Sequence, residues 1–343
     1  MNLYFAPLEG VTDVNFRNIH AHIFHTPLSC ADKYFAPFLE LTQDHTIHDR
    51  DRRALQIENN PGITVVPQML TNDPHAFLGG SRELFGMGYR EVNLNLGCPS
   101  GTVVGKKRGA GFLTEHDDLE RFFDTVFADA LFADGNIKLS VKTRLGMFSP
   151  DEFPDILDIY NKYPISELIL HPRVRKEMYK GDVHTDMTIY AMTHSKHPLC
   201  ANGDLFTVED VRILLGTLPK SPASLMFGRG AVSNPNLFSE VRQMLAGEPV
   251  TPLSIEQLGA FTEALYEDTK TRLSGERHML FRQKELWAYW IVLFADAEPF
   301  RKRLRKASTL TEFRSITDTL LRTGSLLPGA GFAGNAKMNT PIS

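Results

Sequence analysis

"EVNLNLGCPSG", residues 91–101, is a short apolar run that carries asparagine at two alternate positions and then stops on glycine, cysteine and proline. Residues two apart in a strand share a face, so Asn93 and Asn95 point one way while Val92, Leu94 and Leu96 point the other. In a barrel one of those faces is the interior. An unpaired buried amide costs about 1–3 kcal/mol, so a strand that served only as core would carry Val, Ile or Leu instead. The amides must therefore find partners or a ligand.

Working outward, the same kind of run recurs. "LYFAPL" (3–8), "ADKYFAP" (31–37), "TVVPQML" (64–70), "EVNLNLG" (91–97), "IKLSVKTR" (137–144), "ELILHPR" (167–173), "PLCANGD" (198–204) and "SLMFGRG" (224–230) make eight. Segments of helical period separate several of them, each opening at an N-cap candidate such as Asp73, Thr114, Ser149 or Thr207. Alternation of this kind predicts a parallel sheet with helical crossovers, and eight units within about 250 residues match an α/β (β/α)8 TIM barrel. A doubly wound open sheet is the alternative, disfavoured because no G-x-G-x-x-G follows the first run. From Ile255 the pattern turns to long helix-period segments. The expected layout is a barrel over 1–250, a helical domain over 251–324 and a disordered tail over 325–343.

The 343 residues are 42% hydrophobic, enough for a sizeable core, and no stretch reaches membrane-spanning length. The N-terminus has no basic leader with an apolar segment, which gives an expectation of a cytoplasmic protein without a membrane partner. Cys30, Cys98 and Cys200 form no CxxC pair, so neither a disulfide framework nor a thiolate metal site is expected. A net charge of −4 argues weakly against a nucleic-acid partner, but basic residues cluster at 106–108, 173–180 and 301–306. A solvated helix face or loop is the simplest reading of such runs.

Five runs end in polar groups at corresponding positions: Gln68, Asn93 and Asn95, Lys142 and Arg144, His171 and Arg173, Asn202 and Asp204. One such residue is ordinarily a satisfied structural polar group; recurrence across strands points to a site at the C-terminal mouth of the barrel. The eighth run ends in "GRG", Gly228–Gly230, ahead of a segment that can open a short helix. Loops after the last two strands of such barrels often hold phosphate on backbone N–H groups, which implies a phosphate-bearing cofactor.

Read in order, "APLEGVTD", "NLNLGCPSG" with "GAGFL", "VKTRLG", "HPRVRKEMYKG", "ANGD" and "FGRGAVSNPNLF" resemble the tRNA-dihydrouridine synthase family over about residues 3–245. The resemblance implies an enzyme using flavin mononucleotide (FMN), reduced by NADPH (with NADH as a possible substitute), that reduces the C5–C6 double bond of D-loop uridines in tRNA. Hydride would pass from flavin N5 to C6, and Cys98 would give the proton to C5. For that role the thiol must be protonated. By the same resemblance Pro7, Leu8, Glu9, Gln68, Lys142 and His171 would meet the flavin ring. Asn202, Gly203, Asp204, Gly228 and Arg229 would bind its ribityl chain and phosphate. Asn95, Arg144 and Arg173 would face the substrate. The chain departs from the family in Gly101, where many relatives read lysine, and in "HPRV" for "HGRT"; Lys106 or Lys107 would then take the phosphate contact. The "RKRLRK" run would grip RNA, and Trp287 and Trp290, three apart in an apolar helix, are expected to be core. No obligatory protein partner is expected. A flavin barrel acting on a small molecule and an RNA-binding protein on an inert barrel are the competing readings.

Overall fold

The computed structural model describes residues 1–24, 30–295 and 297–332. By internal contacts the chain divides into two compact units: Met1–Val14, Asp32–Gly203 and Leu214–Met226 form the first, and Asn15–Ala31, Asp204–Ile213 and the chain from Phe227 onward the second.

Nine strands build one sheet: β1 Asn2–Phe5, β2 Lys33–Phe35, β3 Val65–Val66, β4 Gln68–Met69, β5 Glu91–Leu96, β6 Lys138–Thr143, β7 Glu167–Leu170, β8 Leu199–Asn202 and β9 Ser224–Phe227. Their order is β3-β2-β1-β9-β8-β7-β6-β5-β4. The ninth strand arises because the expected third run is cut at Pro67, which has no N–H to give to a ladder. Its halves serve opposite neighbours. Val66 O accepts from Ala36 N at 3.0 Å on the β2 side, and Pro67 O accepts from Asn93 N at 2.9 Å on the β5 side. The ring closes through this one run, so nine strands still make the eight-unit barrel.

Alternation sorts the side chains as the sequence predicts. Val92, Leu94 and Leu96 of β5 and Leu139 and Val141 of β6 join an outer core with Phe77, Leu84, Phe122, Phe123, Ile156 and Leu157 from the crossover helices. Inside the barrel, Tyr4, Ala6, Phe35, Val66, Ile169, Cys200 and Met226 pack together. Asp73 caps the helix Pro74–Gly86 by accepting from His75 N and Ala76 N, a cap worth about 1 kcal/mol. Ser149 makes a capping box with Glu152. Thr114 does not cap: its hydroxyl is drawn back to Gly111 O within the 3-10 turn Gly109–Thr114, and Glu115 precedes the helix His116–Ala128.

In the second unit the helix-period segments from Ile255 onward form the helices Ile255–Arg272, Glu276–Trp290, Ala297–Lys306 and Leu310–Thr323. Trp287 and Trp290 are buried core, their rings edge to face at 5.7 Å, with Trp290 Nε1 donating to Val232 O. The segment 325–332 has structure where composition suggested none. Leu326 bridges Phe294, and Phe332 is buried against Phe206 and Tyr289, apolar area that outweighs the Gly and Pro content. The rest of the expected tail, 333–343, lies outside the described residues. No helix among the described residues is long and apolar enough to cross a membrane.

Candidate active site

The chain leaves β5 through a loop held from below by Asn95. Its Oδ1 accepts from Gly97 N at 3.0 Å and Cys98 N at 2.8 Å, while its Nδ2 donates to Gln68 Oε1 at 2.7 Å. Cys98 O in turn accepts from Ala110 N at 3.1 Å. This return of the loop needs Gly109, whose φ is +55° and where a Cβ would stand 2.8 Å from Cys98 O. The main chain of Cys98 is thus held at both its N–H and its C=O.

Arg144, at the exit of β6, ties this loop to the one after β7. Its Nε donates to Gly97 O at 2.9 Å, and its Nη1 donates to Val174 O at 3.2 Å and Met178 O at 2.7 Å. Its guanidinium lies over the Tyr179 ring, 5.3 Å from the centroid. Arg173 is buried beside it, giving hydrogen bonds to Gly181 O and to His171 Nε2 at 3.3 Å. A guanidinium only donates, so His171 accepts on Nε2 and carries its ring proton on Nδ1. Arg175 Nε donates to Pro99 O at 3.0 Å, and its Nη2 is 3.9 Å from the place a Gly101 Cβ would take. Asn95, Arg144 and Arg173, expected to face a substrate, make hydrogen bonds here that shape the loops around Cys98.

Lys142 pairs in register with Asn95 across β5 and β6. Among the described residues nothing hydrogen-bonds its Nζ, although the side chain is only partly open to solvent. Burial, and then the Arg144 charge, lower its pKa to about 8. Cys98 moves the other way. Burial pushes its thiol up, against a hydrogen bond from Ser100 N and the charge of Arg144. A raised pKa keeps the sulfur protonated at neutral pH, the state a proton donor requires.

At the end of β1, Leu8 packs on the interior cluster and Pro7 is half-buried, while Glu9 is exposed. Gln68 is fully buried, its amide shared between Asn93 and Asn95. Asn202 Nδ2 donates to Met226 O at 2.8 Å, and Gly203, φ +119°, lies close to the His171 ring. Within the barrel unit, hydrogen bonds and register link Gln68, Asn95, Cys98, Lys142 and Arg144, and His171 is linked to Arg173 and Gly203. Lys106 and Lys107 are exposed on the loop after Cys98, Lys107 paired with Glu115 at 2.9 Å.

In the second unit, Arg229 Nη2 donates to Asp204 Oδ1 at 2.8 Å, and its guanidinium lies over the Phe206 and Phe332 rings. Gly228 precedes the short helix Arg229–Ser233. In "RKRLRK", Lys302, Arg303, Arg305 and Lys306 are exposed around a buried Leu304. Sequence reading passed over Glu91, Ser140, Arg175, Glu177 and Tyr179. The alternation that marked Asn93 and Asn95 also put Glu91 on their face, so that signal was present.

A family model described as "Dihydrouridine synthase (Dus)" matches residues 4–323. The chain is 27% identical over 319 residues to "tRNA-dihydrouridine(16) synthase" of Vibrio parahaemolyticus, covering 91% of this chain and 95% of that one. It is 25% identical to the protein of the same name from Neisseria meningitidis, covering 91% and 92%. Against "Probable tRNA-dihydrouridine synthase" of Staphylococcus aureus it is 26% identical, covering 91% of each.

Proposed function

The chain belongs to the dihydrouridine synthase family, and from that premise we propose that it reduces the C5–C6 double bond of a uridine in tRNA, with Cys98 as the proton donor. The observation that carries the reading is the setting of Cys98. Its thiol is raised in pKa by burial, held by Asn95 and Arg144 through its loop, and set near the Lys142 cation.

The residues fit FMN at its ring. Lys142 Nζ has no hydrogen-bond partner among the described residues and sits at the mouth of the barrel, where it would meet an electron-rich carbonyl edge. When bound, FMN supplies the reducing equivalents that it takes from NADPH. Lys142 would hold the anionic edge of the ring, with Pro7 and Leu8 packing beside it and His171 presenting Nδ1–H. The spare capacity of the Gln68 amide is directional, since Asn93 and Asn95 already fix its orientation. Gly228 and Arg229 are the proposed phosphate ligands on the sequence motif. Within the second unit the turn is tight enough that a Cβ at Gly230 would lie 2.2 Å from Leu205 O.

Cys98 Sγ–H would transfer its proton to C5 of the uracil and regain one from solvent. A nearby cation helps at this step, because it stabilises the thiolate left behind. The substrate base must leave its stack, at a cost of a few kcal/mol, and a grip on the surrounding RNA offsets that cost. The exposed charges of Lys302, Arg303, Arg305 and Lys306 suit such a grip. Position 16, named for two of the relatives, is the uridine we assign.

The test is turnover by purified, FMN-loaded protein with NADPH and unmodified tRNA, followed by mass-spectrometric mapping. Dihydrouridine at position 16 is the expected result. Oxidation of the reduced protein by orotate or free uridine but not by tRNA would overturn it in favour of a small-molecule enzyme.

A further inference from the structure

Beneath the Cys98 loop a single file of polar side chains runs down the inside of the barrel. Gly97 N and Cys98 N give to Asn95 Oδ1; Asn95 Nδ2 gives to Gln68 Oε1 at 2.7 Å; Gln68 Nε2 gives to Asn93 Oδ1 at 2.7 Å; Asn93 Nδ2 gives to Ser140 Oγ at 3.0 Å; and Ser140 Oγ gives to Glu91 Oε1 at 3.0 Å. Lys33 Nζ closes the file on Glu91 Oε2 at 2.6 Å. Gln68, Asn93 and Ser140 stand level across β4, β5 and β6, paired in register, and all three are 0% exposed.

The direction of the file is forced. Backbone N–H groups can only donate, so Asn95 must turn its oxygen to the loop and its nitrogen to Gln68. That choice fixes Gln68, then Asn93, then the Ser140 hydrogen, whose other acceptor in reach, Val92 O, is at 3.5 Å. Every link donates downward, and such a chain has to end in a group that only accepts. Glu91 is that group, and Lys33 balances its charge. Aligned bonds of this kind polarise one another, and a gap in the middle leaves buried donors or acceptors unmet on both sides.

We propose that Glu91, Ser140 and Asn93 are positioning residues for Cys98: anchored by Lys33, they orient Gln68 and Asn95 and so set where the thiol is held over the substrate. The catalytic consequence rests on the uridine reduction proposed above; the mechanical one does not. Glu91 lies four residues before Asn95 on the same strand face, yet its influence passes through Ser140 of β6, Asn93 of β5 and Gln68 of β4 before it reaches Asn95.

Ser140→Ala tests the file at its middle with minimal change of volume, and Ser224→Ala is the matched control. Ser224 is likewise fully buried in the barrel, but its hydroxyl serves Glu167, outside the file. Two readouts need no substrate: hydrogen exchange of the Gly97 and Cys98 amides, and peptide-resolved alkylation of Cys98 by iodoacetamide. Ser140→Ala should speed exchange at those amides by roughly tenfold or more and change the alkylation rate, while Ser224→Ala leaves both alone. Single-turnover reduction of tRNA should fall by about tenfold with tRNA affinity held, the mark of a misplaced donor.

Glu91→Gln supplies a second line, and it decides the matter if Ser140→Ala does not fold. Ser140 and Lys33 donate to different oxygens, so an amide at position 91 must turn its NH2 to one of them. The single variant should therefore loosen Cys98, and Lys33→Met/Glu91→Gln should restore it by freeing the amide oxygen for Ser140. Unchanged exchange and alkylation at Cys98 in both Ser140→Ala and Glu91→Gln would overturn the proposal. So would failure of the double variant to rescue. A wild-type protein that makes no dihydrouridine while these two readouts behave as expected would remove the functional reading and leave the positioning role standing.

Discussion

On one side of the barrel interior, β1, β2, β7, β8 and β9 point Tyr4, Phe35, Ile169, Cys200 and Met226 at one another; on the other, β4, β5 and β6 point Gln68, Asn93, Asn95, Ser140 and Lys142. The apolar side fills volume, and dispersion has no direction, so its contacts carry no instruction about where a loop must go. Its own polar groups close locally, Tyr4 and Ser224 both giving to Glu167. The polar side is directional at every link and ends on the Cys98 loop. One wall of the barrel is built to be stable and the other to aim a side chain.

That contrast is tested most severely at its target. Cys98→Ala should lower single-turnover dihydrouridine formation by about 10²–10⁴-fold, the range for loss of a general acid, and leave the melting temperature nearly unchanged. A normal rate would show that the polar wall aims at nothing. Cys200, equally a thiol but in the apolar wall and held far above its ordinary pKa by burial, should resist alkylation under conditions that label Cys98.

Met226→Ala is the converse. Deleting most of a fully buried side chain should cost about 2–5 kcal/mol in urea unfolding, with the rate per folded molecule largely kept. If it instead slowed reduction as much as Ser140→Ala, the two walls would not be functionally distinct. Gly109→Ala sits between the cases: a methyl group pressed on Cys98 O at a φ of +55° should cost about 1–3 kcal/mol. It should also shift the Cys98 alkylation rate, which Met226→Ala should not.

Much of this division was legible in the sequence, because strand alternation is a strong signal. It separated Val92, Leu94 and Leu96 from Asn93 and Asn95 and gave eight barrel units, while helical spacing placed Trp287 and Trp290 in a core. What it could not supply was partnership across strands. Asn95 and Arg144 read as groups waiting for a substrate, yet the fold turns them on Gly97, Cys98, Val174 and Met178. A polar residue looks the same in a sequence whether a ligand or a distant carbonyl satisfies it. Pro67 is the second instance. The stretch 64–70 reads as one run, and only the register shows that Pro67 divides it so that it joins β2 to β5 and closes the ring. Phe332 is the third, since its burial depends on Phe206 and Tyr289, far away in the chain.

Lys142 offers the gentlest test, because it concerns a charge and not a contact. It is the one member of the polar wall named above whose head group has no hydrogen-bond partner among the described residues, and burial holds its pKa at about 8, below the unfolded value of 10.5. Below pH 8 both folded and unfolded chains carry the proton, and the folded state bears the full cost of a poorly solvated cation. Between about 8 and 10.5 the unfolded chain binds more protons at this lysine than the folded one, so the Lys142 contribution to the stability of the flavin-free protein should rise with pH across that window. Lys142→Met should flatten this rise when melting temperatures of the two flavin-free proteins are compared at intervals of pH. An anionic ligand at the ammonium would favour its charged form and move the window upward, so adding FMN to the wild type should shift the rise to higher pH. If the wild-type and Lys142→Met profiles ran parallel, the ammonium would be solvated rather than held in reserve for a cofactor, and the polar wall would end at Asn95.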